Sequence, residues 1–167
     1  MNTIELKLQI DAALPPCSAE PVAVEAQVWV DGSHMEPAHY VDVAAFASSA
    51  QSSGHYDIFT CNCGIAGCAG IYEGVTVELS DDVVRWRFLS PISIYGEDGE
   101  SGRENPQHPK ELTFAKDEYI GAMRQFKNDL TRANKQCETG LKWPICDLTT
   151  DVVRMNLDDV IKANPIF

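Results

Sequence analysis

Two runs of two-residue alternation constrain this chain most. In Thr3–Asp11, Ile4, Leu6, Leu8 and Ile10 alternate with Glu5, Lys7 and Gln9. In Val22–Val30, Val22, Val24, Ala26, Val28 and Val30 alternate with Glu25, Gln27 and Trp29. Successive side chains on a strand point to opposite faces, so this period of two predicts two strands, each with one apolar and one wet side. Leu14-Pro15-Pro16 ends the first and Asp31-Gly32 the second. The two are placed to pair, although the intervening segment is longer than a tight hairpin.

Further along, Pro37 suits a first helical turn, and Tyr40, Val43, Ala44 and Ala47 follow at helical spacing until Ser52-Ser53-Gly54. Asp57–Thr60 reads as a short strand, and Val75–Leu79 with Val83–Leu89 as a hairpin turning at Ser80-Asp81-Asp82. Within that hairpin Trp86 and Phe88 alternate with Arg85 and Arg87, which places the rings inward and the arginines outward, facing Glu78. Residues 95–110 are polar and rich in glycine and proline, and are expected to form a mobile loop.

Ala115–Cys137 is the clearest helix. Tyr119, Met123, Phe126, Leu130, Ala133 and Cys137 form one stripe, with Asp117 and Glu118 in the first turn and Lys135 near the end. A short helix is expected over Leu157–Ala163. No βαβ rhythm is present. The expected fold is therefore one α+β domain over residues 1–167, with an antiparallel sheet of about five to six strands packed on one long and one or two shorter helices. No apolar run approaches the ~18 residues of a membrane span. The alternating start also lacks the pattern of a signal peptide, so a cytoplasmic location is expected.

Charge separates function classes. The chain carries 13 Lys and Arg against 25 Asp and Glu, a net of −12. Residues 1–84 hold one base, Lys7, and twelve acids, whereas residues 85–167 hold twelve bases and thirteen acids. So few cations cannot replace the counterions of a phosphate backbone, which argues against nucleic acid and against anionic lipid. A basic protein would instead be attracted and its approach accelerated. The simpler alternative is that acidity only keeps the protein soluble. On the first alternative, Glu25, Asp31, Glu36 and Asp42 are the candidate partner-binding carboxylates. Trp29, on the polar side of its strand, is the candidate anchor, since tryptophan is enriched among interface hot spots. Its alternative role is to pack beneath a helix.

The sharpest local motif is Phe59-Thr60-Cys61-Asn62-Cys63-Gly64-Ile65-Ala66-Gly67-Cys68-Ala69-Gly70. Thiolates are soft ligands that hold zinc tetrahedrally, and glycines let a backbone turn so that several sulfurs converge. Cys61, Cys63 and Cys68 are candidate zinc ligands, with His55 the nearest fourth. A packed cluster of reduced thiols and thiol-based redox chemistry are the alternatives. His34, His39, His55 and His108 form no H-E-x-x-H pattern, and neither a nucleophile elbow nor a phosphate-binding glycine loop is present. The motifs thus point towards a non-enzymatic protein, either an immunity or inhibitor type that neutralises a basic, nuclease-like partner or a small structural zinc domain.

The F-T-C-x-C-G-x-x-G-C-x-G run is followed by a strand bearing Trp86 and, later, by Phe114 and the helix containing Tyr119. Over roughly residues 56–130 this pattern is similar to a bacterial family of hypothetical proteins. No activity or ligand set accompanies that resemblance, so it implies no catalytic residue here.

Overall fold

The computed structural model describes residues 1–10, 22–35, 40–60, 74–88, 94–95, 110–136 and 141–142. The chain is α+β. Its strands are β1 (Ile4–Ile10), β2 (Val22–Val30), β3 (Ser33–Met35), β4 (Tyr40–Val41), β5 (Gly54–Tyr56), β6 (Phe59–Thr60), β7 (Val75–Leu79), β8 (Val83–Arg87), β9 (Ile94–Tyr95), β10 (Glu111–Ala115) and β11 (Leu141–Lys142). Its helices are α1 (Val43–Ser48) and α2 (Lys116–Gln136).

The two alternating runs pair antiparallel, from Ile4 opposite Val30 to Ile10 opposite Val24. One sheet continues β1-β2-β3-β9, and β11 joins β2 in a short parallel pair. A second sheet runs β10-β8-β7-β5, and β4 pairs with β6. Among the described residues the strands therefore divide among three sheets, with antiparallel pairing everywhere except β11 and an isolated bridge at Asn2. That bridge, parallel to Phe114, ties the larger sheets together. There the Asn2 amide donates to the Thr113 carbonyl at 2.7 Å, and the Thr113 amide donates back to the Asn2 side-chain oxygen at 3.0 Å.

Helix α2 follows β10 directly and packs its apolar stripe on β1, β10 and β8. Tyr119, Met123, Phe126, Leu130 and Ala133 are all buried, as their spacing predicts. Helix α1 differs from its expectation. Tyr40 and Val41 pair with Thr60 and Phe59 as strand β4 instead of opening a helix. The helix starts only after Asp42, whose carboxylate accepts the amides of Ala44 and Ala45, both at 2.9 Å. A side chain that satisfies two otherwise unpaired amides sets the start more strongly than the apolar spacing upstream, and such a cap contributes about 1 kcal/mol. Pro37, the helix expected at 157–163 and most of the polar loop after Tyr95 lie outside the described residues.

The core is one cluster centred on Trp86, which is fully buried. Phe46, Phe59, Phe88, Phe114 and Tyr119 surround its indole with ring centroids 5.3–6.2 Å away, and four of the five meet it nearly perpendicular at 80–83° with the fifth at 89°. Edge-to-face packing sets positive ring edges on a negative ring face, adding about 0.5–1.5 kcal/mol per pair beyond burial. Tyr119 also joins α2 to α1. Ser49 donates its one hydroxyl proton to the Phe46 carbonyl at 2.6 Å, so the Tyr119 hydroxyl, 2.7 Å away, is the donor to Ser49. Burial pushes the Tyr119 phenol far above its ordinary range, and it stays protonated.

Because one indole contacts rings from α1, β6, β10 and α2, its loss should be felt throughout the fold. Trp86→Ala is expected to cost about 3–5 kcal/mol, read as a lowered midpoint in urea unfolding followed by circular dichroism.

Candidate functional site

The candidate site is assembled by register on the solvent side of β1-β2-β3. Glu5 lies opposite Trp29, Trp29 opposite His34 and His34 opposite Tyr95, a row across four strands. The β2–β3 turn is Asp31-Gly32, with φ of 51° and 76°. Two successive positive φ values over a two-residue loop define a type I′ hairpin, which suits the twist of the flanking strands.

Within this row the Trp29 indole is held on three sides. Its N–H donates to Gln27 Oε1 at 3.3 Å, and the Gln27 amide donates to Glu25 Oε1 at 3.1 Å. The His34 ring stacks on one face, with centroids 5.3 Å apart and planes 10° from parallel. Over the indole sits Lys7 Nζ, 3.7 Å from a ring centroid and 3.6 Å from Glu5 Oε2. Burial, helped by the charge of Lys7, holds the His34 pKa below its ordinary value. The imidazole beside Trp29 is therefore neutral at pH 7 and leaves the cation role to Lys7.

Trp29 thus lies on the outward side of its strand, half-buried by its neighbours in the sheet. Glu25 is beside it. Asp31 and Asp42 have internal partners. Asp31 accepts from Asn2 Nδ2 and the Thr3 amide, both at 2.7 Å, and from Thr3 Oγ1 at 3.2 Å. Burial works to raise the Asp31 pKa, but these hydrogen bonds outweigh it and the carboxyl sits below its ordinary value. Asp42 caps α1. Glu36 lies outside the described residues. Glu78, from the same acidic half, pairs with Arg85 and Arg87, and Arg85 also reaches Glu111 at 3.3 Å, so that sheet face is largely neutralised.

A groove of about 540 Å³ between β1 and α2 is lined partly by Glu5, Lys7, Gln125 and Asp129. Both carboxylates there are already paired, Glu5 with Lys7 and Asp129 with Arg132.

Cys61, Cys63 and Cys68 lie outside the described residues; the described chain stops at Thr60 and resumes at Gly74. At that second end His55 is exposed on β5, with Nδ1 3.4 Å from Thr76 Oγ1. A methyl group on Gly74 would come within 2.8 Å of Asp57 Oδ1 and the Tyr56 carbonyl and 2.9 Å of His55 Nε2. Two metal-ligating side chains therefore meet the chain where it returns from the cysteine segment. Gly74 provides the clearance and the positive φ of 53°. Among the described residues no three His, Cys, Asp or Glu side chains form a metal-binding group, and no helix is long and apolar enough to cross a membrane.

Glu5, Lys7 and His34 are site residues that the sequence alone did not single out. The Asp31-Gly32 pair carries the signal for His34, because a two-residue hairpin fixes Trp29 opposite it. Lys7 required the long-range register of β1 on β2.

His34 gives stability a pH dependence whose sign follows from its lowered pKa. The unfolded chain takes up the proton first as pH falls through ~6.5, so the native state loses stability from there until the lower folded pKa is passed. The carboxyls of Asp31 and Glu78, held below their ordinary values, add their own losses only at more acid pH. Urea midpoints measured from pH 8 to pH 5 should fall, and His34→Gln should flatten that part of the curve.

Compared with protein-family models, curated proteins and solved structures, the chain has no match.

Proposed function

We propose that this chain is a non-enzymatic acidic binding protein of the cytoplasm, of the immunity or inhibitor kind, whose partner is a basic, nuclease-like protein. The observation that carries this reading is an outward tryptophan with Glu5 opposite it and Glu25 reached through Gln27 on the same strand face, on a chain of net charge −12. Excess negative charge steers a cationic surface towards the protein. A large ring near the centre of the contact can then contribute a disproportionate share of the binding energy. In the complex, carboxylates would occupy the groove in which the partner holds phosphates. Since Asp31 and Asp42 serve the fold, the docking patch of this proposal centres on Trp29, Glu25 and the newly recognised Glu5, and keeps Glu36, which lies outside the described residues.

Affinity capture from the native host tests the proposal with two baits, the wild-type chain and a Trp29→Ala, Glu25→Gln double variant with unchanged circular dichroism. The wild type is expected to enrich a basic protein that the variant recovers at least about tenfold less, a loss within the range of one interface hot spot. Equal recovery by both baits would end the proposal.

A second reading, which can hold together with the first, is a structural zinc site formed by Cys61, Cys63, Cys68 and His55. It is favoured by the approach of His55 and Asp57 to Gly74, where the chain leaves the cysteine segment. Elemental analysis of protein purified without chelator should find close to one zinc per chain, and His55→Ala should reduce it. A content below about a tenth of an equivalent removes this reading.

A further inference from the structure

We propose that the Trp29 indole and the Glu5 carboxylate form a receptor for one arginine or lysine side chain of a partner, and that Lys7 is the chain's own occupant of that receptor. The inference deepens the binding-protein reading and rests on it for the identity of the partner.

The argument starts from where a positive charge already sits. Lys7 Nζ is 3.7 Å from a Trp29 ring centroid and 3.6 Å from Glu5 Oε2, so one cation touches an aromatic face and a carboxylate together. An indole is the strongest of the aromatic rings for a cation, and the carboxylate adds charge complementarity. The ring is also fixed in place. Gln27 holds its N–H edge, Glu25 holds Gln27, and His34 stacks on it. Because His34 is neutral at pH 7, the indole carries a single cation.

Lys7 is an easily displaced occupant. Its side chain is 41% exposed and that of Glu5 is 58% exposed, and ion pairs this open to water have little net strength. An arginine gains more at the same place, because its planar guanidinium stacks flat on an indole while its N–H fork reaches a carboxylate. The receptor should therefore rank arginine above lysine. Removing Lys7 should strengthen binding of an incoming cation by vacating the ring face, beyond the effect of deleting one positive charge.

The test uses a fluorescently labelled oligo-arginine peptide and the folded full-length chain, with affinity read by anisotropy. Lys7→Ala is expected to bind about two- to fivefold more tightly than Lys110→Ala, a control that removes an exposed cation elsewhere. That advantage should vanish when Trp29→Leu is added, and should shrink with Glu5→Gln, which changes an exposed side chain and keeps the fold. An oligo-lysine peptide should show a smaller advantage. Equal gains from Lys7→Ala and Lys110→Ala, or a Lys7→Ala gain that survives Trp29→Leu, would overturn the receptor. The host capture experiment answers separately: its failure removes the immunity role and leaves a receptor that passes the peptide test, while the reverse outcome removes the receptor and leaves the role.

Discussion

Everything on the first sheet depends on the register of β1 against β2. A strand alternates its side chains, so a slip of one residue would send Ile4, Leu6 and Leu8 to solvent and Glu5 and Lys7 into the core. Asp31 holds that register. Its amide donates to the Thr3 carbonyl at 3.2 Å, while its carboxylate takes the Thr3 amide and the Asn2 side chain. One residue in a type I′ turn thereby shapes the β2–β3 hairpin and clamps the start of β1. Immediately beyond, Asn2 pairs with β10, and the clamp extends to the second sheet and the Trp86 core.

The same residue shows how acidity is divided in this molecule. Of the described carboxylates in the acidic half, Asp31 organises a strand junction, Asp42 begins a helix, and Glu78 is matched by two arginines. Each has a hydrogen-bonding or ionic partner within the fold at close range. Net charge still governs the long-range field, which depends on the sum of charges and not on local pairing. The distinction matters for the proposed docking: attraction at a distance would follow the total of −12, while close contact would fall to the face that carries Glu5, Glu25 and Trp29.

Legibility followed the length of each element. β1, β2, the β7–β8 hairpin and α2 are long enough for periodicity to outweigh local chance, and each was readable within a residue or two of its observed ends. The outward arginines and the inward Trp86 of β8 followed from alternation alone. By contrast, β3, β4, β5, β9 and β11 have two or three residues each. They exist because a neighbouring strand supplies their hydrogen bonds, and so short a run has no period to read. Tyr40 and Val41 illustrate this, fitting a helical stripe in sequence and a strand in space. Ile10 shows a related limit: its place in the alternation predicts burial, but at the end of β1 it is 41% exposed.

By itself, the sequence determined that this is an α+β chain with one wet face on each long strand, a long amphipathic helix and a negative half, because those properties are sums or periods over many neighbouring residues. Only the tertiary structure decided which carboxylates are engaged inside the fold, and that Lys7 and Glu5 join the Trp29–His34 pair. Strands from separate parts of the chain meet there, and their relative register is set by backbone hydrogen bonds that have no trace in any single segment.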